Sequence, residues 1–137
     1  MNHGQLMSAA IEARQNAYSP YSHFAVGAAL LCVDGTVYTG INIENAAYSP
    51  TVCAERVAFF KAVSDGKRDF SAIAVSGGKA GNPPDKNTAP CGVCRQVMME
   101  FCNPGTFEII LGGDVGSVKA HKLSDLLPLG FGPENLV

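Results

Sequence analysis

Two apolar, β-rich runs lie at residues 24–33 and 36–43, and the dipeptide Asp34-Gly35 joins them. A two-residue Asp-Gly link between such runs is a strong β-hairpin signal, so a sheet is expected to start here. Later apolar runs predict three more strands, of which the first two are buried and the last lies at an edge: 70–75, 107–111 and 117–121.

Helical spacing of apolar residues predicts three helices and a final helical turn: 4–16, 53–64, 91–102 and 123–127. Residues 77–90 are rich in Gly, Pro and Asn without periodicity, which predicts a long loop. This order of elements predicts an α/β fold, a three-layer sandwich around one mixed five-stranded sheet. The strands on either side of the second and third helices should run parallel, through right-handed crossovers.

Length and composition limit the architecture further. The 137 residues fit one domain, residues 1–137, with no room for a second core. Hydrophobic residues make up 47% of the chain and charged residues 16%, a balance that excludes a disordered chain. Because so little charge is available for the surface, we expect another subunit to cover part of it.

Charge and hydropathy patterns exclude two kinds of partner. The formal net charge is −2 and the basic residues are scattered, so the basic stripe of a nucleic acid polymer binder is missing and a small ligand is favoured. Neither a signal peptide nor an apolar run of the roughly 18 residues that span a membrane is visible. The five cysteines, three of them at metal-ligand spacing, predict a cytoplasmic protein, because thiols stay reduced there.

The motif Cys91-Gly92-Val93-Cys94 stands at the start of a predicted helix. Two thiols three residues apart on a first helical turn can point at one ion, and the positive end of the helix favours thiolate over thiol. Alone, this motif fits a redox pair as well as half of a zinc site. The remaining cysteines, Cys32 and Cys102, are expected to be buried apolar residues.

The motif Cys53-Ala54-Glu55 favours the metal site, because it adds a third thiolate and a carboxylate at another predicted helix start. Catalytic zinc sites have three protein ligands and keep one position open for water. A Cys or His, one spacer, a Glu that is not a ligand, and Pro-Cys-x-x-Cys form the signature of zinc nucleobase deaminases. The neighbouring Arg56 would offset the net −1 charge of three thiolates on Zn²⁺.

The chain resembles the small homotetrameric zinc-dependent cytidine deaminases over essentially its full length. Two cysteine motifs and three further segments carry the resemblance: Cys53–Arg56, Pro90–Gln96, Tyr18–Ser22, Phe24–Ala29 and Gly40–Ala46. The resemblance implies one Zn²⁺ per chain, held by Cys53, Cys91 and Cys94. It also implies a homotetramer whose active sites are shared between subunits.

The implied activity is hydrolytic deamination of cytidine and deoxycytidine to uridine and deoxyuridine, a step of pyrimidine salvage that releases ammonia. In this family zinc-bound hydroxide attacks C4 of the cytosine ring, and the residue matching Glu55 moves the protons. A nucleoside is therefore the expected small-molecule substrate.

The resemblance also implies substrate contacts. Asn42 and Glu44 alternate along a predicted strand, so their side chains share one face, and the matching family pair binds the ribose hydroxyls. Phe24 would pack on the base, and Phe131 would close over it from a neighbouring subunit. The other implied site residues are further substrate contacts and supports of the metal ligands: Ala46, Tyr48, Ala54, Arg56 and Gln96.

Two alternatives stay open on the sequence. One is a closed structural zinc module in which Glu55 is the fourth ligand. The other is a deaminase of the same fold that acts on another cytosine-containing compound, such as an antibiotic, free cytosine or a polynucleotide. The Asn42-x-Glu44 pair favours a free ribose over an antibiotic or a bare base.

Overall fold

The computed structural model describes residues 1–137 and contains five strands, four helices and a short 3₁₀ turn at Pro133–Asn135. The strands are β1 Phe24–Cys32, β2 Val37–Ile41, β3 Phe70–Lys79, β4 Glu108–Gly112 and β5 Val118–Lys122. The helices are α1 His3–Arg14, α2 Ala54–Ser64, α3 Gly92–Phe101 and α4 Leu123–Leu126. All five strands form one mixed sheet, as predicted, and their order in the sheet is β2-β1-β3-β4-β5.

The β1–β2 hairpin forms at the Asp-Gly link. Gly35 has a φ of +91°, which only glycine adopts easily, and Asp34 Oδ1 accepts from the backbone N–H of Thr36 at 2.9 Å. The second strand ends earlier than predicted, because its ladder with β1 stops at Ile41. Ile43 instead bridges to Tyr18 and Val52. The prediction that Asn42 and Glu44 share one face of a strand is therefore wrong, because both residues follow the end of β2.

The third strand is longer than predicted, and this corrects the start of the predicted loop. Residues 77–79 continue β3 and pair with β1, with Gly77 opposite Val26. A Cβ atom on Gly77 would lie 2.5 Å from Cγ2 of Thr88, so glycine is needed for the segment after β3 to fold back onto the strand. This glycine therefore marks a close packing contact within a strand rather than a loop.

Strand directions agree with the predicted crossovers. β1 is antiparallel to both β2 and β3, so β2 and β3, which flank α2, run in the same direction. β3 and β4, which flank α3, pair directly as parallel neighbours. The carboxyl ends of β2 and β3 consequently lie at the same end of the sheet, and the chain continues from there to the starts of α2 and α3.

Two apolar clusters pack on opposite faces of the sheet and make the three layers. On one face, Leu6, Met7 and Ala10 of α1 pack against alanines of the sheet. On the other face, α2 and α3 pack around Phe59, whose ring centroid lies 5.1 Å from that of Phe70. None of the helices combines the length and the apolar character that crossing a membrane would require.

Candidate active site

Both cysteine motifs stand at helix N-termini on the same face of the sheet. Cys53 is the N-cap of α2 and Cys91 is the N-cap of α3, both with extended backbone. Neither thiol caps its helix, because both sulfurs turn toward each other instead. The positive ends of two helices therefore meet at the sulfur atoms, which favours their deprotonation.

The three predicted ligand sulfurs lie close together. Cys53 Sγ is 3.7 Å from Cys91 Sγ, and Cys91 Sγ is 3.6 Å from Cys94 Sγ. Tetrahedral zinc with Zn–S bonds of about 2.3 Å holds two sulfurs about 3.8 Å apart. The cluster thus fits a zinc ion without rearrangement of the backbone.

Glu55 lies outside this ligand cluster. Cys53, Cys91 and Cys94 are the only group of three or more potential ligand side chains whose ligand atoms all lie within 4.8 Å of one another. Three sulfurs leave a fourth tetrahedral position open, as catalytic zinc sites do and closed structural sites do not. This separation disfavours Glu55 as a fourth ligand.

The Glu55 side chain is buried, with 4% of its surface exposed. Burial raises its pKa to about 7, and the negative charge of the Cys53 thiolate adds to this rise. A carboxyl group with such a pKa can accept and return a proton near neutral pH. Sequence reasoning identified the residue, but only the fold shows that it is desolvated.

Arg56 contacts the cluster. Its Nη2 donates to Cys53 Sγ at 3.3 Å. Hydrogen bonds that Cys94 and Arg56 donate to the Cys53 sulfur lower the pKa of the Cys53 thiol to about 5. The same hydrogen bond raises the pKa of the Cys94 thiol, because Cys94 is its donor. Negative charge therefore concentrates on Cys53, where the guanidinium offsets it.

The Asn42 side chain is hydrogen-bonded to the backbone at the beginning of β1. Its Nδ2 donates to the carbonyl of Phe24 at 2.8 Å, and its Oδ1 accepts from the N–H of Val26 at 2.9 Å. One N–H of the amide is left for another acceptor. The side chain thus fixes the backbone on both sides of residue 25 and can still donate to a ligand.

Glu44 is held by the turn before β1. Its carboxylate accepts from the N–H groups of Tyr21 and Ser22 at 3.0 and 3.1 Å, and also from the Ser22 hydroxyl. These hydrogen bonds, with that of the Ser22 hydroxyl largest, lower the pKa of Glu44. The carboxylate is therefore charged at neutral pH and carries oxygens able to accept further hydrogen bonds.

Glu44 opens onto a cavity of about 400 Å³ that Tyr21, Ser22, Tyr48 and Thr51 also line. The Tyr21 and Tyr48 rings meet edge to face, with centroids 6.2 Å apart. Tyr48 has a φ of +61°, a strained conformation for a tyrosine, and such strain concentrates at binding sites. The structure thus brings two predicted substrate contacts, Glu44 and Tyr48, to one cavity.

A family model described as the cytidine and deoxycytidylate deaminase zinc-binding region matches residues 1–108. The chain belongs to this family. A cytidine deaminase of Sporosarcina psychrophila is 51% identical over 132 residues, which cover 96% of this chain and 93% of that protein. A cytidine deaminase of Halalkalibacterium halodurans is 48% identical, with 99% of this chain and 98% of that protein covered.

Solved structures of cytidine deaminases share the fold. The Burkholderia pseudomallei enzyme superposes with a TM-score of 0.86 at 47% identity and covers 96% of this chain and 100% of that one. The Mycobacterium tuberculosis enzyme superposes with a TM-score of 0.80 at 37% identity, with 96% and 98% covered. The mixed five-stranded sheet predicted from the sequence is thus the fold of these deaminases.

The remaining predicted site residues of this deaminase family member occupy varied environments. Ala54 is fully buried in the first turn of α2, Phe24 is partly buried, and Ala46 is exposed. Phe131 lies on the segment after α4 and is 57% exposed. Gln96, expected to support the metal ligands, donates from Nε2 to the carbonyl of Phe131 at 2.8 Å.

Sequence reasoning assigned no role to two residues that the structure brings to this deaminase site. Ser22 donates to Glu44, and Arg95 donates to the carbonyls of Pro90 and Leu126. Both residues lie inside segments that resemble the family. Their backbone and side-chain partners, however, come from the three-dimensional fold, and no spacing rule indicates them.

Proposed function

We propose that the protein is a zinc-dependent hydrolytic deaminase that converts cytidine and deoxycytidine to uridine and deoxyuridine with release of ammonia. The observation that carries the proposal is a three-sulfur cluster with a buried glutamate beside it that is not one of the ligands. The names of the relatives support the substrate, since the proteins that match nearly the whole chain are cytidine deaminases.

Cys53, Cys91 and Cys94 would hold the zinc ion. When bound, zinc supplies Lewis acidity that makes water a nucleophile near neutral pH. Arg56 maintains that acidity, because its hydrogen bond to Cys53 Sγ withdraws charge from a sulfur that would otherwise neutralise the metal.

Glu55 carries the protons. The buried carboxylate accepts a proton from the attacking water, delivers it to N3 of the cytosine ring, and then takes the second water proton to the leaving amino group at C4. Water is consumed, the C4–N4 bond breaks, and uridine and ammonia form. A pKa of about 7 suits a group that must both accept and donate in one cycle.

Asn42 and Glu44 would bind the sugar. The carboxylate accepts hydrogen bonds from ribose hydroxyls, and the free N–H of the Asn42 amide donates one. Phe24 would pack on the base, beside the backbone of Ala54. A 5′-phosphate would be repelled by the charged Glu44, so nucleosides are favoured over nucleotides.

The proposal includes a homotetramer that completes each site with residues of a neighbouring subunit. Tyr48, Leu129 and Phe131 are exposed by 73%, 105% and 57%, and we expect a neighbouring subunit to cover this apolar surface. Together with Ala46, Tyr48 and Phe131 would reach the site of a partner subunit. Light scattering should give about four times the 14.3 kDa chain mass.

We place this activity in pyrimidine salvage and in the cytoplasm, where thiols stay reduced.

The direct test is ammonia release from four compounds: cytidine, deoxycytidine, free cytosine and CMP. We expect both nucleosides to react, and free cytosine and CMP to be slower by orders of magnitude. Equal rates for cytosine and cytidine would refute the nucleoside assignment, and zinc without any ammonia release would favour a structural zinc module.

Replacing Glu44 with alanine should lower kcat/KM for cytidine roughly 30-fold or more, because a charged hydrogen bond to the sugar is lost. This factor corresponds to about 2 kcal/mol of transition-state stabilisation. Free cytosine has no ribose, so its rate should change little. Steady-state kinetics on both substrates measure the difference.

Glu12, an exposed carboxylate on α1 at the opposite face of the sheet, provides the control, and Glu12→Ala should leave both rates unchanged. A Glu44→Ala variant that slows cytidine and cytosine equally would show that Glu44 only supports the turn at Tyr21 and Ser22.

A further inference from the structure

Arg95 in the first turn of α3 makes three hydrogen bonds to backbone carbonyls. Its Nε donates to Pro90 at 2.7 Å and its Nη1 donates to Leu126 at 2.6 Å. Its backbone N–H donates to the carbonyl of Cys91 at 3.0 Å, which closes the first turn of the helix. One residue thus contacts the peptide groups on both sides of Cys91.

These contacts fix the conformation of Cys91. The Pro90 carbonyl belongs to the peptide group before Cys91, and the Cys91 carbonyl belongs to the peptide group after it. When both peptide planes are held, φ and ψ of Cys91 are held, and with them the direction of its Cα–Cβ bond. The position of Sγ then depends on a single side-chain torsion.

Cys91 has the least support of the three sulfur ligands. Cys94 is 1% exposed and belongs to the apolar cluster under α2 and α3. Cys53 is partly buried and its Sγ accepts from Arg56. The Cys91 side chain is exposed and caps no helix N–H group, so neither packing nor a cap fixes it.

We propose that Arg95 is a positioning residue for the metal centre, which holds Cys91 Sγ in the geometry of a zinc ligand. The anchor at the far end of its guanidinium is the Leu126 carbonyl, at the C-terminus of α4. Arg95 therefore connects the backbone beside Cys91 to the C-terminal segment that carries Phe131. This proposal rests on the zinc ligands given under the proposed function.

The experiment measures zinc release from the purified zinc-loaded protein into an excess of a chromophoric chelator. Substitution of groups that orient metal ligands typically costs 10- to 100-fold in metal affinity. We expect R95Q to release zinc at least about 10-fold faster than the parent protein. R95K should lie between them, because one ammonium group cannot span both side-chain-bound carbonyls.

Arg68 provides the matched control. Its Nη1 donates to the carbonyls of Val63 and Lys67 at 2.9 and 2.8 Å, at the end of α2 away from the sulfur cluster. R68Q should release zinc at the parent rate. A purely structural role of Arg95 would lower the melting temperature of R95Q and R68Q alike and leave zinc release unchanged in both.

Release from R95Q at the parent rate would overturn the positioning role while the proposed function stands. If R95Q does not fold, R95K decides, and a parent-like rate in R95K overturns the proposal. A parent protein that binds no zinc at all would refute the ligand assignment itself, and the role of Arg95 with it.

Discussion

Glu55→Gln is expected to lower kcat for cytidine by 10²- to 10⁴-fold or more, because glutamine cannot accept a proton from water or return one to the substrate. The amide has the size of the carboxyl group, so the buried site should keep its shape. Zinc should stay near one per chain, because the ligand cluster contains three cysteines and not Glu55. Stopped-time assays of ammonia and elemental analysis of the same sample measure both quantities.

The two readouts separate the competing roles of Glu55. Loss of activity with zinc retained identifies the proton carrier. Loss of zinc together with activity would instead make Glu55 a fourth ligand and revive the structural zinc module. Glu100→Gln, an exposed position on α3, should leave activity and zinc content unchanged and serves as the control.

Cys94→Ser should remove zinc to well below one equivalent per chain and abolish detectable deamination. A neutral hydroxyl is a poor substitute for a thiolate ligand, and the remaining pair, Cys53 and Cys91, cannot hold the ion with the same affinity. The expected result is a zinc content near zero after dialysis against a weak chelator, measured by elemental analysis on protein shown to be folded by circular dichroism.

Cys102 is the matched control because it follows the same helix at its opposite end. Burial raises the pKa of the Cys102 thiol well above its ordinary value, so the thiol remains protonated, and it lies outside the cluster. Cys102→Ala should therefore keep zinc and activity. Equal zinc content in Cys94→Ser and Cys102→Ala would contradict the three-cysteine site.

Local sequence signals predicted most of the fold because each one has a local cause. The Asp34-Gly35 turn, the helix starts at the two cysteine motifs and the buried strands depend on neighbours along the chain. The extent of β3 did not follow, because the reason for Gly77 is a contact with Thr88, eleven positions away. A glycine needed for close packing and a glycine needed for a turn look alike in a sequence.

In the candidate site, too, features with a local cause were predictable and features that depend on distant contacts were not. The cluster of Cys53, Cys91 and Cys94 was predictable, since it depends on spacing at two helix starts, whereas the catalytic role of Glu55 stays a prediction. The partners of Asn42 and Glu44 were not, because β2 ends at Ile41 and both side chains reach back to the segment before and within the first strand. Arg95 was missed for a similar reason, as one of its partners, Leu126, lies 31 positions away.

The most direct test of hydrolytic deamination is the reaction of the zinc-loaded protein with cytidine in water enriched in ¹⁸O. Mass spectrometry of the product and a parallel ammonia assay give the fate of both reactants. Hydrolytic deamination should give uridine that carries one ¹⁸O atom, at C4, and one ammonia released for each uridine formed. Cytidine that stays unchanged, or uridine that forms without ¹⁸O, would contradict it.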